Sequence, residues 1–348
     1  MKDGVIGVGI AGVGVAARYH ARAITDAPGA RLSAVCRVLG ARVAEAEEAF
    51  GVPCETSYEA LLARPDVDAV CLCTPSGHHA GQAIGAARAG KHVLVEKPMA
   101  LTLEDADAMI AAARENGVRL AVAFQRRTEP VYADLRATLA TGELGRPVLG
   151  VVTIPYLRTQ AYYDSAGWRG TWALDGGGVL MNQGIHLVDL LVWLLGEVEE
   201  VEARIATAAR DIEVEDVLVA TLRFASGALG TVAATTCAAP GFPHRVEIYG
   251  TRGGVQVEGD AVTRWEEEGK DAAAANARLS EPARIAAGPG ASPTGIPASA
   301  HGRLVADFIA SIRESRPPLV SGEEGRRALS VVLAIYEAAR SGRPVRPR

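Results

Sequence analysis

The sequence of 348 residues has no apolar run near the ~20 residues that a membrane-crossing helix needs. The nearest candidate, "GIHLVDLLVWLLG", is short and carries His186 and Asp189, so no membrane partner is expected. A basic excess is also missing. Lys and Arg number 36 against 41 Asp and Glu, for a net charge of −5, and this leaves no electrostatic footprint for nucleic acid. No basic leader with a cleavage site precedes the first strand-like run, "VIGVGIA", so a cytoplasmic location is expected. Cysteine is sparse and odd in number, at 5, which fits a reducing compartment and excludes a disulfide framework. Cys71 and Cys73 form a C-x-C pair in "AVCLCTP". With no second pair or histidine cluster at ligand spacing, they read as small buried strand residues, and no metal is expected. Internal repeats are absent.

What is present is hydrophobic residue, 49 % of the chain, with mean hydropathy +0.12: enough for a folded protein of about two domains. Residues 1–124 alternate β-branched runs with helical stretches, among them "GVIGVGIA", "RLSAVCR", "VDAVCLC", "HVLVE" and "RLAVAF". This alternation predicts right-handed βαβ crossovers and a doubly wound parallel sheet, which binds ligands beyond the carboxyl ends of its strands. Thr102 with Asp105 predicts a helix cap before "LEDADAMIAAARENG". The second domain is expected over 125–348, and from about 147 the texture changes to longer alternating strands divided by turns, with one strongly apolar helix at about 178–195. They predict an α/β domain with a large, mostly antiparallel sheet. Residues 269–299, rich in Ala, Gly, Pro and Ser, read as a long loop, either mobile or a cover over a cleft. A final amphipathic helix at about 322–341 is expected to pack back near the N-terminal domain.

"GVGVAARYH" places Gly12, Gly14 and Ala17 in G-x-G-x-x-A spacing, after the first strand and at the opening of the first helix. Gly12 serves the tight turn, Gly14 and the intervening Val13 let a pyrophosphate approach the backbone, and Ala17 allows close packing. The second strand of such a site commonly ends in an acid that holds the ribose 2′-hydroxyl. Here it ends in Arg37, and neither Val38 nor Leu39 is acidic. A guanidinium suits a 2′-phosphate, so NADP is favoured and NAD is the alternative; Arg37 pointing to solvent is the other reading.

One more stretch is unusual. "HVLVEKPMA" ends a buried strand on Glu96, Lys97 and Pro98. Taken with "CTPSGHHA" (73–80), "FQRRTEP" (124–130), "LDGGGVLMNQGIHLVDLLVWLLG" (174–196) and His20 in the first helix, this motif resembles the Gfo/Idh/MocA oxidoreductase family over nearly the whole chain. The resemblance implies an N-terminal Rossmann domain and a C-terminal domain whose open sheet faces substrate on one side and an oligomer partner on the other. A homodimer or homotetramer is therefore expected. It also implies that Lys97 and His186 face the substrate carbon, and that Thr74, Pro75, His79, Glu96, Lys97 and Gln125 line the cofactor pocket. Pro98 permits a cis bond.

Oxidising a secondary alcohol removes a hydride and a proton. A histidine near its ~6.5 reference value can take the proton, which suits His186, and an ammonium beside the same oxygen favours the alkoxide, which suits Lys97. Asn182 stands four residues before His186, on the same helix face, where the commoner family pattern has aspartate. An amide orients but cannot take a proton. "YYDSAGWRGTW" offers Tyr163, Trp168 and Arg169 for sugar hydroxyls, and Arg126 and Arg127 stand open between substrate and structural roles. The expected activity is NAD(P)-dependent alcohol–ketone interconversion on a sugar, cyclitol or nucleotide sugar. The alternatives are a non-catalytic nucleotide sensor on the same fold, and an enzyme of an imine or bile-pigment-like ring.

Overall fold

The computed structural model describes residues 4–37, 42–271, 273, 277–279, 290–291 and 298–348. The chain divides into two compact units, one of Met1–Gln125 with Pro297–Leu329 and one of Arg126–Ile296 with Ser330–Arg348. Most of the Ala/Gly/Pro-rich 269–299 stretch lies outside the described residues.

The first unit is built on β1 (Ile6–Ala11), β2 (Ala30–Cys36), β3 (Cys54–Glu55), β4 (Ala69–Leu72), β5 (His92–Val95) and β6 (Leu120–Val122). All pairs are parallel, in the order β3-β2-β1-β4-β5-β6. Strands buried on both faces read as continuous apolar runs, and β1, β4 and β6 are buried along their whole length. The strand order reverses between β1 and β4, and a sheet of this kind opens its crevice at such a reversal. Gly7 and Gly9 lie inside β1, where a side chain would strike the Asp66 carbonyl or Leu61. They belong to strand packing, and the turn belongs to Gly12.

Helices α1 (Val15–Asp26), α2 (Val43–Phe50), α3 (Tyr58–Ala63), α4 (His79–Arg88) and α5 (Leu103–Glu115) link these strands. The Thr102 hydroxyl caps α5 by accepting from the Asp105 N–H at 3.1 Å. Residues from the far end of the chain complete this unit. A helix over Ala298–Arg313 (called α9 below) packs along α1, and Val320 accepts a hydrogen bond from the Val122 N–H at 3.0 Å, covering the β6 edge.

The second unit contains α6 (Pro130–Thr141), β7 (Pro147–Pro155), α7 (Gln160–Asp164), α8 (Ile185–Leu195), β8 (Val198–Ala206), β9 (Val217–Phe224), β10 (Leu229–Thr235), β11 (Arg245–Gly250), β12 (Gly253–Glu258) and β13 (Ala261–Glu267). Its strands run β13-β12-β11-β7-β10-β9-β8, antiparallel except for the β7–β10 pair. β9 alternates buried and exposed residues, as a sheet with one covered face must. The covering element is α8, and Gly150 in β7 admits it: a side chain there would meet Leu195 and Leu191. The outer face carries the exposed apolar residues Val219 and Leu229. Helix α10 (Gly322–Ser341) ends the fold and contributes Tyr336 to this unit.

Asp216 at the start of this sheet is fully buried and accepts from the N–H groups of Ala208, Ala209 and Arg210 at 2.6–2.9 Å. Burial pushes its carboxyl up, but these donors outweigh it and hold the group below its ordinary 3.8. A depressed carboxylate stabilises the fold above its unfolded value and loses that contribution as pH falls. Asp216→Asn is therefore expected to melt below the parent at neutral pH. The gap should hold down to the ordinary value of 3.8 and close as pH drops well under it, and a gap that stays constant far below that value would refute the assignment.

Candidate active site

Gly12 sits at φ +95°, and a side chain on it would lie 2.6 Å from the Cys73 carbonyl oxygen. Only glycine meets both conditions. Gly14 is the N-cap of α1, has no side-chain cap, and faces open space where a side chain would stand. The first N–H groups of α1 are thus left for an anion, and Ala17, fully buried, lets the helix lie against the sheet. This glycine cradle fits a dinucleotide pyrophosphate. Arg37 follows β2 directly. Its N–H donates to the Glu55 carbonyl at 2.9 Å, and its guanidinium Nε is buried with no hydrogen-bond partner among the described residues. Residues 38–41 lie outside the described residues.

The tips of β4 and β5 are bolted together. His79 is buried, with Nδ1 2.8 Å from the Pro98 carbonyl oxygen and Nε2 2.9 Å from that of Thr74. Burial lowers its pKa, so the neutral ring donates to one of the two. Thr74 donates its hydroxyl to the Gln82 side chain at 2.6 Å, and Pro75 opens the short helical turn that follows. Gln125 is buried, and the Lys97–Pro98 bond is cis.

Glu96 has a partner that sequence spacing could not supply. Its Oε1 lies 2.7 Å from Nε2 of the fully buried His20, and its Oε2 accepts from the Lys97 N–H at 3.2 Å. Burial opposes the charge of Glu96, but His20 and then Lys97 hold the carboxyl well below its usual range. This explains the unusual strand ending. A charged Glu96 anchored on α1 holds the backbone of Lys97 in place at the strand tip.

In the second unit, Leu180–Gly184 is wound as a π turn that leads straight into α8, and Asn182 and His186 stand on it one turn apart. The segment is held from two directions. The buried Glu215 carboxylate accepts from the Gly178 N–H and the Leu180 N–H, each at 2.9 Å, and from the Tyr336 hydroxyl at 2.9 Å. Burial raises its pKa above the ordinary value. Gly178 cannot bear a side chain, because its Cβ would lie 1.7 Å from the Glu215 carbonyl oxygen, and at Gly177 a Cβ would lie 2.1 Å from the Tyr336 hydroxyl oxygen. Asp175 accepts from the Asn182 side-chain amide at 2.9 Å and from the Gly170 N–H at 3.0 Å. It ties the loop of Trp168 and Arg169 to the helix of His186.

The expected substrate contacts differ in placement. Tyr163 is buried with its hydroxyl 3.0 Å from that of Thr236. The Arg169 guanidinium lies 4.3 Å from the Tyr162 ring centre and 4.6 Å from that of Trp168. It donates to the Tyr162 hydroxyl at 2.6 Å and has no carboxylate partner among the described residues. Arg126 is held by Asp260 at 2.8 Å, next to the buried His244. Arg127 forms a two-pronged pair with Asp189, at 2.7 and 2.9 Å. Glu215 and Tyr336 were invisible to motif reading, since each acts across 35 to 155 residues with no periodic signal, whereas Asp175 stands in the quoted "LDGGG" without its role being readable.

Comparison with known proteins agrees with this arrangement. Residues 6–124 match the model described as "Oxidoreductase family, NAD-binding Rossmann fold", and residues 132–256 match the GFO/IDH/MocA C-terminal domain. The chain belongs to the Gfo/Idh/MocA family of oxidoreductases. It is an NAD(P)-dependent dehydrogenase or reductase of CH–OH groups. It is 29 % identical to myo-inositol 2-dehydrogenase of Thermotoga maritima, over 99 % of this chain and 98 % of that one. It is 33 % identical to 1,5-anhydro-D-fructose reductase of Ensifer adhaerens, over 82 % of each. The crystal structure of the WlbA dehydrogenase from Bordetella pertussis, in complex with NADH and UDP-GlcNAcA, superposes with a TM-score of 0.85 at 36 % identity, covering 98 % of both chains. Among the described residues, no helix is long and apolar enough to cross a membrane.

Proposed function

We propose that the protein interconverts a secondary alcohol and a ketone on a sugar, cyclitol or nucleotide sugar, with NADP(H) preferred over NAD(H). The observation that carries this reading is the pair of chemically competent side chains, Lys97 and His186, each on a segment held by carboxylates: the half-buried Glu96 behind Lys97, and the buried Glu215 and Asp175 behind the helix of His186. The nicotinamide ring supplies a hydride acceptor or donor. The protein's own part is to handle the proton and the oxygen charge. In oxidation His186 takes the hydroxyl proton, and the Lys97 ammonium stabilises the oxygen anion as the carbon loses its hydride. In reduction His186 returns the proton. Asn182, fixed through its amide to Asp175, donates or accepts hydrogen bonds but transfers no proton.

The unpartnered Nε of Arg37 supports a 2′-phosphate. Arg169, stacked between two rings and lacking a carboxylate partner, supports a sugar with a negatively charged group, and UDP-GlcNAcA in the WlbA complex is such a ligand. The test combines fluorescence titration with NADPH and NADH and an absorbance screen of sugars, polyols, sugar acids and nucleotide sugars. NADPH is expected to bind about tenfold tighter or more, equivalent to ~1.4 kcal/mol, and Arg37→Ser should erase the difference. Tighter NADH binding would overturn the cofactor preference. Cofactor binding without turnover across the whole panel would overturn the enzyme assignment in favour of a sensor.

A further inference from the structure

Behind the Glu96 tip lies a cluster that the redox chemistry does not use. Cys71 at the end of β4 and Cys73 two residues on turn their sulfurs toward each other, 3.7 Å apart. A ring nitrogen of His20, carried in from α1, lies within 4.8 Å of both sulfurs. We propose that His20, Cys71 and Cys73 form a binding site for a thiophilic divalent cation of the zinc class, with a fourth position open.

Three observations bear on it. The sulfur separation is that of two thiolates on one tetrahedral ion, since bonds of about 2.3 Å set an edge of about 3.8 Å. The histidine is oriented as metal-bound histidines are. Its Nε2 sits 2.7 Å from the Glu96 carboxylate, and its Nδ1 is fully buried with no hydrogen-bond partner among the described residues. A carboxylate on the far nitrogen fixes the ring and makes the near one the better donor. Access exists too, because Cys73 is partly exposed while Cys71 and His20 are buried.

Binding replaces the protons of the thiols and the imidazole, so affinity must rise with pH. The other buried thiols, Cys36 and Cys54, belong to no such cluster among the described residues. The sequence concealed the site because its third ligand lies 51 positions before Cys71 and 53 before Cys73, on a different element.

Cobalt(II) titration of the full-length protein, freed of metal by chelator and reduced, tests the proposal without requiring a substrate. One equivalent should give thiolate-to-cobalt charge-transfer absorption, strengthening with pH and displaced by zinc. Cys71→Ser/Cys73→Ser should abolish it, and Glu96→Gln should weaken affinity by about 10- to 100-fold. Should the serine variant fail to fold, alkylation of the unaltered protein with mass-spectrometric readout decides. Zinc should protect Cys73 at least tenfold and leave the partly exposed Cys237 unprotected. No charge-transfer band, a band that survives in the folded serine variant, or equal alkylation of Cys73 with and without zinc would each overturn the site.

Discussion

Replacing Lys97 by alanine is expected to lower kcat by about 10²–10³-fold while leaving cofactor affinity within a few-fold, because the ammonium acts on charge that develops only during reaction. Lys97 is half-buried at the β5 tip, and the Glu96 anchoring that places its backbone does not depend on its amine. The circular dichroism spectrum and melting temperature of the variant should match the parent. Steady-state rates on the substrate found by screening, with NADPH titration alongside, give the measurement. A Lys97→Ala enzyme turning over at the parental rate would remove this residue from the chemistry, and an equal loss of cofactor affinity would reduce it to a binding contact.

The second large effect is structural. Asp189 on α8 is fully buried, and so is all but 2 % of Arg127; the two share a two-pronged pair while the guanidinium also faces the Trp193 ring at 5.5 Å. A buried pair adds little over a well-packed apolar pair, yet breaking it strands one charge in the interior. Asp189→Ala is expected to destabilise the second unit by about 3–5 kcal/mol, whereas Arg127→Met/Asp189→Leu should recover most of that loss. All 4 tryptophans, Trp168, Trp172, Trp193 and Trp265, lie between residues 126 and 296, so tryptophan fluorescence in urea reports this unit separately. A single variant that loses under ~1 kcal/mol would show the pair to be hydrated, with the value of a surface one.

How much of this was legible in the sequence depends on the range of the interaction. The parallel sheet, the glycine turn and the Thr102 cap are written in periodicities of two to four residues, and they stand where the pattern predicted them. The parallel pair β7–β10 within the otherwise antiparallel second sheet carries no such mark, because strands on one face alternate alike whichever way their neighbour runs. At the site, Lys97, Glu96 and His186 were readable as residue types in motifs, but the groups that hold the His186 segment were not. Glu215 carries no local pattern that distinguishes a buried helix anchor from a surface acid, and only its position against Gly178 and Leu180 reveals it. Arg127 shows the converse. Its sequence context allowed a substrate contact, and the fold engages it with Asp189.

Each unit draws essential pieces from the last fifty-one residues: α9 along α1 and Val320 at the β6 edge in one, the Tyr336 hydroxyl on Glu215 in the other. During synthesis on a ribosome, therefore, neither half can reach its final packing while the tail is still inside the exit tunnel. Domain-by-domain maturation from the N-terminus, the usual order for chains of this size, is closed to this protein. Emergence of residues 298–341 from the tunnel becomes the event after which the nucleotide cradle and the His186 helix both acquire their full support.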